Sequence, residues 1–89
     1  MGTPKEIQRP SRNVGTGNEA KPKTLLAWRL KELRLGTGLN QKEFAKTMGF
    51  PIPRISDWEQ GFITPTLYTL QRYAKYFNIS VSQLLQGVM

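Results

Sequence analysis

The stretch LNQKEFAKTMGFPIPRISDWEQG, residues 39–61, decides how this chain is read. Its apolar residues recur at helical spacing and are interrupted once, around Met48-Gly49-Phe50. Asn40 offers an N-cap and Glu43 stands three residues on, the spacing at which two residues satisfy each other's backbone N–H groups. Phe44, Ala45 and Met48 then form an inward face, with Ala45 small enough to let a neighbouring helix approach. Gly49 suits the left-handed conformation that turns a chain sharply, and Phe50 returns to the core. A second helix is expected over 52–60. Ile55 and Trp58 fall on its buried edge at i, i+3, and Pro51 and Pro53 sit at its start, where a missing N–H costs little.

Outward from this stretch, the flanking residues read as scaffold helices. On the N-terminal side Thr24 offers an N-cap, and Leu26, Leu30 and Leu33 follow at i, i+4 and i+7 as a core stripe bordered by Ala27 and Trp28. Arg29, Lys31, Glu32 and Arg34 lie off that stripe, and Gly36 and Gly38 end the helix through a C-cap and a loop. On the C-terminal side Thr66 caps a fourth helix whose face is Leu67, Leu70, Ala74 and Phe77. Arg72 and Lys75 fall on its solvated side, with Tyr68, Tyr73 and Tyr76 near the core rim. Asn78 suits a C-cap. Ser80 with Gln83 repeats the capping-box spacing for a last helix, Leu84-Leu85 pack back, and Gly87 closes it. The fold class expected is all-α: a compact five-helix domain over 24–87, its central motif at 41–60.

Residues 1–23 differ in kind. They are rich in Pro, Gly, Thr and Asn, with only Ile7 and Val14 as branched apolar side chains. Too little apolar area is available there to offset the entropy of ordering, so a disordered basic tail is expected. A passive leader is the simpler role for it; a basic arm lying along a DNA groove is the alternative.

Composition narrows the chemistry. With 89 residues, 38% of them hydrophobic, there is room for one small core. Cys and His are both absent, which removes disulfides, thiolate and Ser-His nucleophiles and the common zinc sites. No phosphate loop or nucleophile–base pair can be assembled either, so neither an enzyme nor a cofactor or metal is expected. No apolar leader and no 18-residue apolar run are found, and a cytoplasmic protein without a membrane partner is expected. The net charge is +7. Mere solubility accounts for such a charge in many small proteins; the sharper expectation is a polyanion partner, nucleic acid.

Two tight helices joined at a glycine suggest a helix-turn-helix. More specifically, residues 25–87 resemble the Cro and phage-repressor type, the XRE family. The resemblance rests on Gln41, Phe44-Ala45, Met48-Gly49-Phe50, Ile55, Trp58-Glu59, Gln60, Gly61 and Pro65. Arg34 before them, and Leu67, Leu70, Ala74, Phe77 and Leu84-Leu85 after them, keep the same register. It implies a lambda-repressor-like domain whose third helix enters the DNA major groove, and a salt bridge between Glu59 and Arg34 that ties helix three to helix one. It also implies that Ile52, Pro53 and Asp57 face base edges and that Gln41 and Gln60 lie by the phosphate backbone. Ile52 and Pro53 could meet a thymine methyl, and Asp57 could accept from a cytosine amine. Arg54 is the strongest candidate for a polar contact, to phosphate or guanine. Lys42 and Ser56 complete the expected DNA-binding set. Two positions depart from the family pattern: Pro51 replaces the usual Ser or Thr cap, and Asp57 places a negative charge where Gln, Lys or Arg is commoner.

The function expected is therefore a sequence-specific double-stranded DNA-binding transcriptional regulator, a repressor acting as a homodimer on a palindromic operator. Two alternatives stay open. One is a protein-interaction module of transcription, bridging-factor-like, whose partner is a transcription factor. The other is the antitoxin of a toxin–antitoxin pair, whose partner is the toxin.

Overall fold

A computed structural model describes residues 21–88. Among them lie five helices and no strand: α1 (Leu25–Leu35), α2 (Gln41–Met48), α3 (Ile52–Gln60), α4 (Leu67–Tyr76) and α5 (Val81–Leu84). The helix starts follow from local side-chain chemistry. Thr24, Asn40, Thr66 and Ser80 each accept a hydrogen bond from a backbone N–H in the first turn of the helix they precede. Asn40–Glu43 and Ser80–Gln83 close both bonds of a capping box. Substituting such a cap by Ala typically costs about 1 kcal/mol. Gly49 ends α2 with φ of 79°, the left-handed turn that its lack of a Cβ permits.

The core lies where the helices converge. Leu30, Phe44, Ile55, Tyr73 and Leu84, one from each helix, are fully buried. Burying an aliphatic or aromatic side chain of this size stabilises by roughly 1.5–3 kcal/mol before entropy is counted. Aromatic rings join three of the elements. Phe44 lies 5.6 Å from Tyr73 between centroids, and Trp58 lies 6.3 Å from Tyr73. Phe50, in the turn, meets Trp58 edge-on at 4.9 Å.

Several expectations about the scaffold need correction. Leu30 is fully buried, but Leu26 and Leu33 only flank the core, and Ala27 and Arg34 occupy the inner positions beside Leu30. Arg34 turns inward because the Glu59 carboxylate of α3 lies there. The end of α1 is as expected: Gly36 is its C-cap, with φ of −64°, and the chain reverses in the loop at Gly38, with φ of 80°. Leu67 is 62% exposed rather than part of the core. It is the first residue of α4, and helical side chains lean toward the N-terminus, which carries this one past the edge of the packed face. Tyr73, expected at the rim, takes the buried position instead. Phe77 is the C-cap of α4, and Asn78 follows it with a left-handed φ of 56°.

Most of the expected tail, residues 1–20, lies outside the described residues. Within them, the Lys23 N–H donates to the Gln60 carbonyl at 2.9 Å, and the Lys23 ammonium sits over the Phe62 ring, 5.3 Å from its centroid. The chain entering α1 thus runs against the end of α3. No described helix is long and apolar enough to cross a membrane.

Candidate nucleic-acid interface

α3 divides cleanly into two sides. Ile55, Trp58 and Glu59 are buried. Ile52, Pro53 and Arg54 are exposed, while Ser56, Asp57 and Gln60 are half-buried. At 3.6 residues per turn, Ile52, Ser56 and Gln60 form one row on the outer side and Pro53 and Asp57 the next. Arg54 stands on the flank of these rows. The Gln60 amide donates to Ser56 Oγ at 2.7 Å, so these two polar side chains are held together on one row. Among the described residues, neither Arg54 nor Asp57 has a side-chain hydrogen bond or an ion pair.

The buried side of α3 holds a charge. Glu59 is 1% exposed, and Arg34 of α1 grips its carboxylate in a fork: Nε to Oε2 at 2.7 Å and Nη2 to Oε1 at 3.0 Å. The remaining guanidinium nitrogen donates to the Leu39 carbonyl at 2.8 Å. Gln41, at the start of α2, donates from Nε2 to Glu59 Oε1 at 3.1 Å. The Glu59 carboxylate therefore joins α1 and α2 to α3, and its Arg34 partner adds the loop before α2. Such an arrangement is tolerable in a dry core only because the opposite charge and the hydrogen bonds arrive together. Periodicity alone places Arg34 off the core; the family resemblance supplied its partner.

Gln41 consequently has two faces. One amide N–H is committed to Glu59, while the residue stays half-buried at the first turn of α2 beside the exposed Lys42. Backbone N–H groups in a first turn lack intrahelical acceptors, and together with the positive helix end they favour an anion. The outer side of α3 and the start of α2 are thus fixed relative to one another through Glu59.

A family model described as helix-turn-helix matches residues 30–84, which include all of α2 and α3. The chain belongs to the XRE-type helix-turn-helix family. Curated relatives carry matching names. Over 63 residues the chain is 43% identical to the HTH-type transcriptional regulator DdrOP3 of Deinococcus deserti, covering 71% of this chain and 49% of that protein. It is 32% identical over 59 residues to the HTH-type transcriptional activator BcrR of Enterococcus faecalis, covering 66% of this chain and 29% of that protein. With the HTH-type transcriptional regulator PuuR of Escherichia coli it shares 36% over 55 residues, 62% of this chain and 30% of that one. The chain spans about half or less of the length of these relatives. Within this helix-turn-helix frame α2 and α3 are the two motif helices and Glu59 their shared anchor.

One residue that helps to build the motif escaped the sequence reading. Arg72 was expected among the solvated charges of α4. Instead its guanidinium donates to the Met48 carbonyl at 2.5 Å and to the Tyr68 hydroxyl at 3.1 Å. It also lies over the Phe50 ring, 5.1 Å from its centroid. No local pattern signals this contact, because its partner is 24 residues away.

Proposed function

We propose that this chain binds double-stranded DNA sequence-specifically and regulates transcription as a repressor, with α3 seated in the major groove. The observation that carries this reading is the division of labour on α3. Its core duties are met by Ile55, Trp58 and Glu59, leaving Ile52, Pro53, Arg54, Ser56, Asp57 and Gln60 on one solvent side with Arg54 and Asp57 uncommitted. Membership of the helix-turn-helix family, relatives named as transcriptional regulators or activator and a net charge of +7 support DNA binding and control of transcription, and leave the direction of control as the finer part of the proposal.

In this reading Arg54 contacts phosphate or a guanine edge, Asp57 accepts from a cytosine amine, and Ile52 and Pro53 pack on thymine methyls. Gln41 and Lys42 meet a phosphate at the start of α2, and Gln60 lies by the backbone. A helix of nine residues is about 13 Å long and spans about four base pairs. That is too little sequence for a specific site, so the chain acts as a homodimer on a pseudo-palindrome whose half-sites lie one helical turn apart.

The test is selection of duplexes from a random pool, followed by titration of the winner and a scrambled duplex at several salt concentrations. Saturable binding to the winner with a steep negative salt slope is expected. Light scattering with and without that duplex reads the dimer. The exposed Ile52 and Pro53 beside an unpaired Asp57 favour a second reading, an interaction module for another transcription protein. That reading prevails if no duplex outcompetes random DNA while a protein partner binds through the Ile52–Asp57 face.

A further inference from the structure

The outward helix of the motif begins without a cap of its own. Pro51 occupies the N-cap position, no side chain there accepts from the first turn of α3, and Pro53 follows within that turn. Neither proline has a backbone N–H to donate. In the preceding turn the N–H groups of Gly49 and Phe50 both go back to the Ala45 carbonyl, at 2.8 and 3.0 Å. These bonds tie the turn to α2. None of them sets the direction in which α3 departs.

Arg72 reaches this turn from α4. Its donation to Met48 satisfies a carbonyl at the end of α2, where intrahelical donors have run out and a cation is favoured. The same guanidinium covers Phe50, and Phe50 abuts Trp58 of α3 edge-on. Its other arm is steadied by the Tyr68 hydroxyl, whose ring centroid lies 5.9 Å from the guanidinium carbon. Residues on both sides of Gly49 are therefore clasped by one planar group. Lysine could supply the charge but not the fork together with the stacked face.

We propose that Arg72 is a positioning residue for the DNA-reading face: with Glu59 anchoring the far end of α3, Arg72 steadies the uncapped start of the helix through the turn at Phe50, and so sets base discrimination without touching DNA. The consequence for discrimination rests on the DNA-binding reading above; the clasp itself does not. Phosphate attraction tolerates a small reorientation of α3, whereas hydrogen bonds to base edges do not, so loss of the clasp falls on specificity.

Arg72→Lys and Arg72→Ala, each made with Pro51 and with Pro51→Ser, supply the test. Amide resonances are recorded without DNA, and the affinity ratio of selected to scrambled duplex is measured well below each variant's melting temperature. Arg72→Lys is expected to move the amides of Ile52 and Arg54 as well as those of Gly49 and Phe50. It is expected to lower the affinity ratio about tenfold while leaving scrambled-duplex binding unchanged, and Pro51→Ser is expected to recover part of that loss. Arg72→Ala should do the same, with a lower melting temperature. A lower melting temperature with an unchanged ratio overturns the proposal, as does an equal loss in both backgrounds. If the wild-type chain prefers no duplex, the DNA-binding reading fails by itself and the resonances decide the clasp. Shifts reaching Ile52 and Arg54 then uphold it, and shifts confined to α4 and Met48 overturn it.

Discussion

Arg34 and Glu59, 25 residues apart in the chain, meet in a two-point salt bridge that is nearly closed to solvent and joins α1 to α3. Removing one partner strands the other in the core. Glu59→Leu or Arg34→Met is therefore expected to destabilise the domain by about 3–5 kcal/mol, read from urea unfolding. The double variant should regain much of that loss, since two apolar groups leave no buried charge behind. Additive losses in the double variant would show that the two side chains do not act as a pair.

Tyr73 provides the opposite case. Its hydroxyl is buried and has no hydrogen-bond partner among the described residues. Tyr73→Phe removes that polar atom while keeping the ring contacts with Phe44 and Trp58, and should leave stability unchanged or raise it by about 1 kcal/mol. Thermal melting checks this. A large drop would mean that the hydroxyl has a partner in solution.

The same hydroxyl makes alkaline stability pH-dependent. Burial, reinforced by the negative Glu59 and opposed by Arg34, raises its pKa above the ordinary phenol value of 10.0. Above pH 10 the unfolded chain releases this proton while the folded chain retains it, so the unfolded state binds fewer protons and stability falls as pH rises. Below pH 10 the contribution is constant. Urea midpoints measured from pH 9 to 11.5 should decline more steeply for the wild type than for Tyr73→Phe.

Gly61 and Gly38 should respond differently to alanine. Both have positive φ, 84° and 80°. A Cβ at Gly61 would also lie 3.0 Å from Lys23 Cβ and 3.2 Å from Lys23 N, whereas one at Gly38 would meet nothing within 4 Å. Gly38→Ala is expected to cost about 1–2 kcal/mol, the backbone strain alone. Gly61→Ala should cost more and should loosen the Lys23–Gln60 hydrogen bond, visible as faster exchange of the Lys23 amide.

For the proposed DNA complex, Arg54→Ala is the sharpest single substitution. It should weaken binding to the selected duplex by about 1–3 kcal/mol if Arg54 reads a guanine, with discrimination lost at one base pair. A phosphate contact would instead weaken all duplexes alike and reduce the salt slope by about 0.9. Undiminished affinity for every duplex would remove Arg54 from the interface. Its exposure makes a stability effect larger than about 0.5 kcal/mol unexpected.

Local signals were the legible ones. Asn40–Glu43 and Ser80–Gln83 can be read directly because a capping box closes within four residues, and Gly49 announces the turn by its missing Cβ. The five helices follow from these signals and from apolar spacing. Partnerships across the fold were harder. Arg34 looks like a surface charge until Glu59 is brought to it, and Arg72 looks solvated until the end of α2 arrives beneath it. Leu67 and Tyr73 exchange their expected places because helical spacing gives a face but not how far neighbouring helices extend over it. The outer residues of α3 could be found by subtraction, as those the core does not use. Which base each would meet depends on a docked duplex and is not encoded in periodicity.

That subtraction has an evolutionary corollary. Since Ile55, Trp58 and Glu59 meet the packing needs of α3, the outer positions can diverge with little penalty to folding. In the proposed DNA complex the helix behaves as a socket with exchangeable pins: residues 52, 53, 54 and 57 can be rewritten together to suit a different target. In that reading, lineages carrying this scaffold acquire new targets by a handful of substitutions, while neither Arg34 nor Glu59 can drift without the other.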